Sequence, residues 1–128
     1  MDVSGTDSNQ DATDWTITFS DGNQYGTVKM SLNGGFFQTS DIRKKTNLKD
    51  LDLDKCYDLI DKCQTVLFDY KEGAKDQMGM IAQEVEEFFP EIVSTDADGF
   101  KSLDYAKLTV VILRVLKDLI KKVNGLAD

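Results

Sequence analysis

The first third of the chain alternates apolar and polar side chains. Residues 14–20 and 27–32 each place an apolar residue at every second position, which is the period of a half-buried strand. The turn signal Asn33-Gly34-Gly35 and the pair Phe36-Phe37 follow directly. The pattern therefore predicts a short β meander that ends at Ser40.

The middle of the chain mixes helical spacing with further strand patterns. Apolar residues recur at helical spacing from Asp54, the expected N-cap, to Cys63, and again in a helix that Pro90 should stop. Residues 65–70 and 77–82 have strand character instead. The turn Asp96-Ala97-Asp98-Gly99 predicts a hairpin between residues 91–95 and 100–103. This predicts a small α+β body with hairpins.

The last predicted helix runs from about Asp104 to Asn124, with Gly125 as its expected C-cap. Its main row recurs at alternating four- and three-residue spacing, with Lys122 filling one slot, and its apolar members are Leu108, Ile112, Val115, Leu119 and Leu126. Further apolar residues widen the stripe beyond one packed face. We expect part of the stripe to pack inside the chain and part against a partner helix, with a purely intramolecular core helix as the alternative.

Composition and charge narrow the possible partners. The 128 residues contain 23 acidic and 15 basic side chains, a net charge of −8, so nucleic acid is not an expected partner. No window approaches the roughly 20 apolar residues of a membrane span. The acidic, polar residues 1–13 do not resemble a signal peptide and are expected to be a flexible tether.

Several kinds of active site are excluded or disfavoured. The chain has no histidine, so a serine–histidine–aspartate triad cannot form. Cys56 and Cys63 lie two helical turns, about 10 Å, apart, so we expect free thiols rather than a disulfide. Residues 50–55 resemble a calcium loop but have Lys55 where that loop requires glycine. No phosphate-binding loop motif occurs, and neither a metal nor a cofactor is expected.

Ser40 and the basic run Arg43-Lys44-Lys45 remain as candidate chemistry. A serine can be activated by a lysine, but only after the pKa of that lysine falls from about 10.4 toward neutrality. Desolvation and neighbouring cations both lower the pKa of a lysine amine. Spacing alone does not separate such a dyad from a solvated basic turn.

Three blocks, in this order, resemble a known family: TSDIRKKTNL, MGMIAQEVEEFFPEIV and DGFKSLDYAKLTVVILRVLKDLIKKV. They are similar to the C-terminal intramolecular chaperone auto-processing domain of phage tailspikes and tail fibres, of the neck appendage or endosialidase tailspike type. The similarity covers about residues 38–124. It implies an α+β domain whose long C-terminal helix packs in a trimeric helical bundle.

The resemblance also implies an activity. The family cuts itself at the serine of the first block, so the scissile bond here is Thr39–Ser40, Ser40 is the nucleophile and Lys45 the base. Asp41 and Arg43 match the motif's other fixed positions and are expected to organise the site. The family usually has an aliphatic residue where this chain has Lys44. An exposed Lys44 would leave the site intact and a buried one would disturb it, and Lys44 is the second choice for the base.

The implied organisation is a fibre stalk end at residues 14–39 and a chaperone domain at residues 40–128. The expected partners are two further copies in a homotrimer and the chain's own N-terminal β-stalk, which is both folding client and cleavage substrate. Assembly would take place in the cytoplasm of the bacterial host, and the released fragment would be absent from the mature virion. A trimerisation module of the same fold that does not cleave is the main alternative. An adaptor that binds another virion protein has no supporting sequence feature.

Overall fold

The computed structural model shows a mixed α/β protein with short antiparallel hairpins and a long C-terminal helix. It describes residues 2–6, 14–21, 24–31 and 35–127. The chain divides into two compact units, Met1–Leu48 and Lys49–Asp128. No helix in the described ranges is long and apolar enough to span a bilayer.

The first unit contains a four-stranded antiparallel sheet in which each strand pairs with the next along the chain. The strands are β1 Asp2–Thr6, β2 Asp14–Asp21, β3 Gln24–Ser31 and β4 Phe36–Gln38. The predicted meander is confirmed, because β2, β3 and β4 follow the alternating segments. The predicted Asn33-Gly34-Gly35 turn lies mostly outside the described residues. Beside it, Ser31 N–H donates to the Gly35 carbonyl at 2.9 Å.

Strand β1 was not predicted, because residues 1–13 were assigned to a tether. Asp2–Thr6 instead pairs with β2, with Asp2 opposite Ser20 and Thr6 opposite Thr16. The segment DVSGT has one apolar residue and no alternation, so backbone pairing rather than a side-chain pattern defines this strand. The tether prediction is therefore wrong for residues 2–6, and residues 7–13 lie outside the described ranges.

The second unit combines three α-helices with two small antiparallel hairpins. Strands β5 and β6 form one hairpin and β7 and β8 the other. The β7–β8 hairpin was predicted as such, whereas for β5 and β6 the sequence predicted two strands without their pairing. The elements are α1 Leu53–Lys62, β5 Val66–Phe68, β6 Gln77–Gly79, α2 Ala82–Glu86, a 3-10 helix Pro90–Ile92, β7 Val93–Thr95, β8 Lys101–Leu103 and α3 Tyr105–Ala127.

Helix α1 begins two residues earlier than predicted. Asp52, not Asp54, is the N-cap, and its carboxylate accepts a hydrogen bond from Lys55 N–H at 3.2 Å. Asp52 has extended backbone geometry, as an N-cap requires, whereas Asp54 already lies in the first helical turn. There its negative charge interacts favourably with the amino end of the helix.

The core of the second unit joins α1, α2 and α3. Its nine buried apolar residues are Cys56, Leu59, Cys63, Val85, Phe89, Ile92, Leu108, Val111 and Val115. Both cysteines are free thiols, as predicted, and burial raises the pKa of each. Buried protonated thiols of this kind behave as small apolar side chains rather than as nucleophiles.

Helix α3 corrects two predictions. Gly125 lies inside the helix, which continues to Ala127, so it is not the C-cap. Leu108 and Val115, which were assigned to a trimer interface, are buried in the chain's own core. They lie on the side of α3 that faces α1, so they are not available to a partner. Of the same predicted row, Ile112, Leu119 and Leu126 are exposed.

A polar contact continues the α1–α3 packing beyond Val115. Tyr57 on α1 donates its hydroxyl proton to the Asp118 carboxylate at 2.6 Å. The Lys122 amine pairs with Asp118 at 2.9 Å and lies 5.0 Å from the centre of the Tyr57 ring. The Tyr57 hydrogen bond lowers the pKa of Asp118, and Lys122 lowers it further. Lys122, which interrupts the apolar row of α3, therefore contributes to the contact between α3 and α1.

Replacing Leu59 with alanine should destabilise this unit by about 2–5 kcal/mol, because the side chain is only 2 % exposed and its removal leaves a cavity. Urea unfolding followed by circular dichroism measures the change. The matched control is Phe100→Ala, which removes a larger side chain that is 73 % exposed and should cost far less. Equal losses of unfolding free energy in the two variants would contradict the assignment of Leu59 to the core.

Candidate functional site

A single 3-10 turn shapes the segment that follows β4. The turn covers Ile42–Lys44, and Asp41 is its N-cap. The Asp41 carboxylate accepts a hydrogen bond from Arg43 N–H at 2.9 Å, and the Asp41 carbonyl accepts one from Lys44 N–H at 3.0 Å. Lys45 N–H then donates to the Ile42 carbonyl at 3.1 Å. These bonds turn the chain back on itself.

The turn brings the two ends of its segment into contact. The Lys45 amine donates a hydrogen bond to the Ser40 hydroxyl, with Nζ 2.8 Å from Oγ. The two residues are five apart in sequence, a separation that an extended chain would convert into a gap of about 17 Å. The hydroxyl and the amine therefore lie within the distance at which a proton can pass between them.

Asp41 and Arg43 form a second pair beside this contact. Arg43 Nε lies 3.1 and 3.3 Å from the two Asp41 carboxylate oxygens, and Nη2 lies 2.8 Å from Oδ2. The Arg43 side-chain hydrogen bonds hold the pKa of Asp41 below its usual value, and Asp41 in turn raises the pKa of Arg43. Both groups are therefore ionised at neutral pH, and the pair fixes the N-cap carboxylate in place.

The whole segment is open to solvent in the single chain. The side chains of five residues are exposed: Ser40, Asp41, Arg43, Lys44 and Lys45. Two apolar side chains of the same segment are exposed as well: Ile42 is 63 % and Leu48 66 % accessible. The contact between Lys45 and Ser40 is therefore open to water in the single chain.

Substituting Asp41 by asparagine should loosen the turn. It removes the charge that holds Arg43, while an asparagine side chain can still cap. We expect the rate of any reaction that uses the Ser40–Lys45 contact to fall about tenfold in Asp41→Ala and by less in Asp41→Asn. The folded-state pKa of Asp41 is depressed. The stability that its carboxylate gives to the turn is therefore present above the unfolded pKa of about 4. It is lost as the pH falls through the folded value.

The turn can be monitored by the hydrogen–deuterium exchange rate of the Lys44 and Lys45 amides, whose protons are bonded within it. In the wild-type chain, exchange corrected for its intrinsic pH dependence should become faster as the solution is acidified below pH 4. The Asp41→Ala chain should show fast corrected exchange at every pH. A wild-type turn whose protection does not change with acidification would contradict the role given to the Asp41 carboxylate.

The structure thus brings together four of the predicted site residues: Ser40, Asp41, Arg43 and Lys45. It places Lys44 on the exposed surface of the turn, with the Lys45 amine, not that of Lys44, bonded to Ser40. Within the described ranges no cluster of His, Cys, Asp or Glu could hold a metal ion.

One contributor to the segment was not predicted from the sequence. Asn47 has a φ of +54°, in the left-handed region that asparagine tolerates better than other non-glycine residues. It redirects the chain two residues after Lys45. The sequence contains a signal for this turn, because Asn47 adopts the left-handed region more readily than its neighbours Thr46 and Leu48.

Comparison with known protein families finds a match that includes this turn. Residues 40–94 match the model of a peptidase family described as the chaperone of endosialidase. The match begins at Ser40 and extends through α1, both strands of the first hairpin and α2 into β7. No curated protein matches the chain.

Proposed function

We propose, on the premise that residues 40–94 are a phage tail-fibre and endosialidase type chaperone domain, that this chain cuts itself at the Thr39–Ser40 bond. In this proposal Ser40 is the nucleophile and Lys45 the general base. The observation that supports it most directly is the 2.8 Å contact between Lys45 Nζ and Ser40 Oγ. The family match begins at the residue that would become the new amino terminus.

The proposed reaction has two steps. In the first, the neutral Lys45 amine takes the Ser40 hydroxyl proton while Oγ bonds to the Thr39 carbonyl carbon. The Thr39–Ser40 C–N bond then breaks, and the proton passes from Lys45 to the departing Ser40 amine. In the second step, water hydrolyses the resulting ester, which restores the Ser40 hydroxyl and leaves Thr39 as a carboxylic acid. Proximity is intrinsic, since nucleophile and carbonyl belong to neighbouring residues.

Asp41 and Arg43 act in this proposal as positioning residues. Arg43 Nε and Nη2 both bond to Asp41, and that carboxylate caps the turn that presents Lys45. The pair thereby holds the base at the nucleophile. Lys44 is exposed on the turn, so the one departure from the family pattern leaves the contact intact.

Solvent exposure explains why the cut would wait for assembly. A lysine amine in water keeps its proton at neutral pH, and it becomes a base only when it is desolvated. In the single chain, Lys45 and the apolar Ile42 and Leu48 beside it are exposed. We propose that three chains assemble through the exposed face of α3 and that Lys45 is desolvated only in that assembly. That face includes Ile112, Leu119 and Leu126.

The biological setting follows from the same premise. The chaperone would hold three chains together at their carboxyl ends while the β-stranded stalk upstream folds. That stalk would be both the folding client and the cleavage substrate. Assembly would take place in the cytoplasm of the bacterial host, and the released fragment would be absent from the finished virion.

A chaperone of the same fold that does not cleave is the second candidate. The exposure of the Ser40–Lys45 contact in the single chain favours it, because an exposed dyad is inactive without further burial. The two candidates predict the same oligomer and the same fold. They differ only in whether the Thr39–Ser40 bond is broken.

Trapping the ester tests the proposed chemistry. Freshly made protein is treated with hydroxylamine at neutral pH, and the upstream fragment is analysed by mass spectrometry. The proposal predicts a hydroxamate on Thr39 and a downstream fragment that begins with Ser40. Protein made in parallel with Ser40→Ala should give neither product. Fragments that begin at another residue would assign the cut to a contaminating protease.

A further inference from the structure

The pair Phe36-Phe37 lies shortly before the proposed scissile bond, and its two side chains have different surroundings. Both residues belong to β4, and successive side chains of a strand point to opposite faces of the sheet. Phe36 is 78 % and Phe37 54 % exposed. The ring of Phe37, the less exposed of the two, has two contacts that restrain it.

The first contact is with Gly35. A Cβ atom at position 35 would lie only 2.7 Å from Cε2 and 2.9 Å from Cζ of the Phe37 ring. Carbon atoms in contact are about 3.5–4.0 Å apart, so the ring occupies the space that a side chain at position 35 would need. The Gly35 carbonyl also accepts the hydrogen bond from Ser31 N–H, at 2.9 Å. The ring therefore packs on the residue that joins β4 to the end of β3.

The second contact crosses the β3–β4 ladder. Lys29 is opposite Phe37 in the antiparallel register, and its amine lies 5.9 Å from the centre of the ring. An ammonium group at this distance is attracted to the face of an aromatic ring. Phe37 is thus held by Gly35 along the chain and by Lys29 across the ladder, and neither contact involves Phe36.

These contacts are important because β4 is short. It has three residues and lies at the edge of the described sheet, next to β3. Its last paired residue is Gln38, opposite Val28, and Thr39 follows directly. A strand of this length gains little from backbone pairing alone, so the side-chain contacts of Phe37 stabilise the pairing up to the residue before Thr39.

The proposed attack requires the Ser40 hydroxyl and the Thr39 carbonyl to be restrained together. Because the peptide unit is planar, the carbonyl turns as part of that plane about the N–Cα bond of Ser40. Lys45 restrains the hydroxyl through the 2.8 Å contact, and β4 restrains the carbonyl side; both belong to the first compact unit. If β4 detaches, the carbonyl carbon can move away from Oγ, and a misplacement of about 1 Å can cost about a hundredfold in rate.

We infer that Phe37 is a positioning residue for self-cleavage, which holds β4 on β3 and thereby orients the Thr39 carbonyl toward Ser40 Oγ. The inference rests on the proposed function. It adds a residue on the substrate side of the cut, outside the segment 40–94 that matches the family.

Rates of fragment release from three full-length variants test the inference. Phe37→Ala should slow release at least about tenfold. Phe37→Tyr keeps the ring and should restore release to within about threefold of wild type. The matched control, Phe36→Ala, makes the same change one residue earlier and should also stay within about threefold. Since Lys45 is unchanged, the rate of Phe37→Ala should keep the wild-type pH profile at a lower level.

Substitution of the glycine tests the ring contact itself. Gly35→Ala places a methyl group where the Phe37 ring lies, and it should slow release about as much as Phe37→Ala. In the double variant the ring is absent, so Gly35→Ala should add little further loss. Additive losses, or equal rates for Phe36→Ala and Phe37→Ala, would overturn the inference while the cut itself stands.

Hydrogen–deuterium exchange tests the restraint without the cut, in chains that also carry Ser40→Ala and so stay intact. The Ser31 amide, which is bonded to the Gly35 carbonyl, should exchange faster in Phe37→Ala than in Phe36→Ala. Equal exchange in the two variants would also overturn the inference. A chain with the wild-type sequence that is never cut would contradict the proposed function, and the inference with it.

Discussion

Lys45→Met should slow release of the C-terminal fragment by about 100- to 10,000-fold, the usual contribution of a positioned general base. Methionine retains most of the length of the side chain but cannot accept the Ser40 proton. The 2.8 Å contact between Lys45 Nζ and Ser40 Oγ is lost, while the Asp41-capped turn, which uses other groups, is retained. The fraction of cleaved chain, followed by gel densitometry after a pulse of synthesis, measures the rate.

The neighbouring lysine supplies a matched control. Lys44→Met makes the same chemical change one residue earlier, on the exposed surface of the turn. It also restores the apolar character that the family usually has at this position. We expect cleavage in this variant to stay within about threefold of wild type, as surface substitutions usually have small effects. Loss of cleavage in Lys44→Met, with retention in Lys45→Met, would transfer the role of base to Lys44.

Leu119→Glu should abolish both the trimer and the cut. Leu119 is exposed in the single chain, so glutamate costs the isolated fold little. In a packed trimer, three carboxylates would be brought together and desolvated, which should weaken association about a hundredfold or more. If burial of Lys45 depends on assembly, cleavage should fall with the trimer. Analytical ultracentrifugation and fragment release, measured on the same sample, report the two quantities.

The control for this variant is Lys121→Glu, which makes a larger charge change on an exposed position of the same helix. It lies outside the apolar rows, so it should leave both oligomer and cleavage intact. Efficient cleavage in a monomeric Leu119→Glu chain would break the proposed link between assembly and activity. A Leu119→Glu chain that is trimeric and active would contradict the proposal that this face of α3 forms the trimer interface.

Much of the fold could be predicted because its elements have strong local patterns. β2 and β3 alternate cleanly, and the turn that closes the β7–β8 hairpin contains Gly99 with a φ of +87°, a conformation that glycine adopts readily. Strand β1 could not be predicted in this way, since its only signal is backbone pairing with β2. Gly125 was misassigned as a cap because a glycine near a helix end does not by itself determine where the helix stops.

The functional residues likewise include some that the sequence could predict and some that it could not. The order of Ser40, Asp41, Arg43 and Lys45 is local, and a single capped turn is enough to bring them together, so the sequence could indicate the constellation. The side of α3 that faces the chain's own core depends on distant residues on α1 and α2. Spacing therefore identified a wide apolar stripe but could not separate Leu108 and Val115, which are buried, from Ile112 and Leu119, which are exposed.

Self-cleavage at one bond is tested most directly by the intact mass of the freshly made protein beside that of its Ser40→Ala variant. The wild-type chain should yield an upstream piece that ends at Thr39 and a fragment of residues 40–128, while the variant should remain a single chain of 128 residues. Trimers of wild-type protein that retain the full mass, or the same two pieces from Ser40→Ala, would contradict a cut made by Ser40.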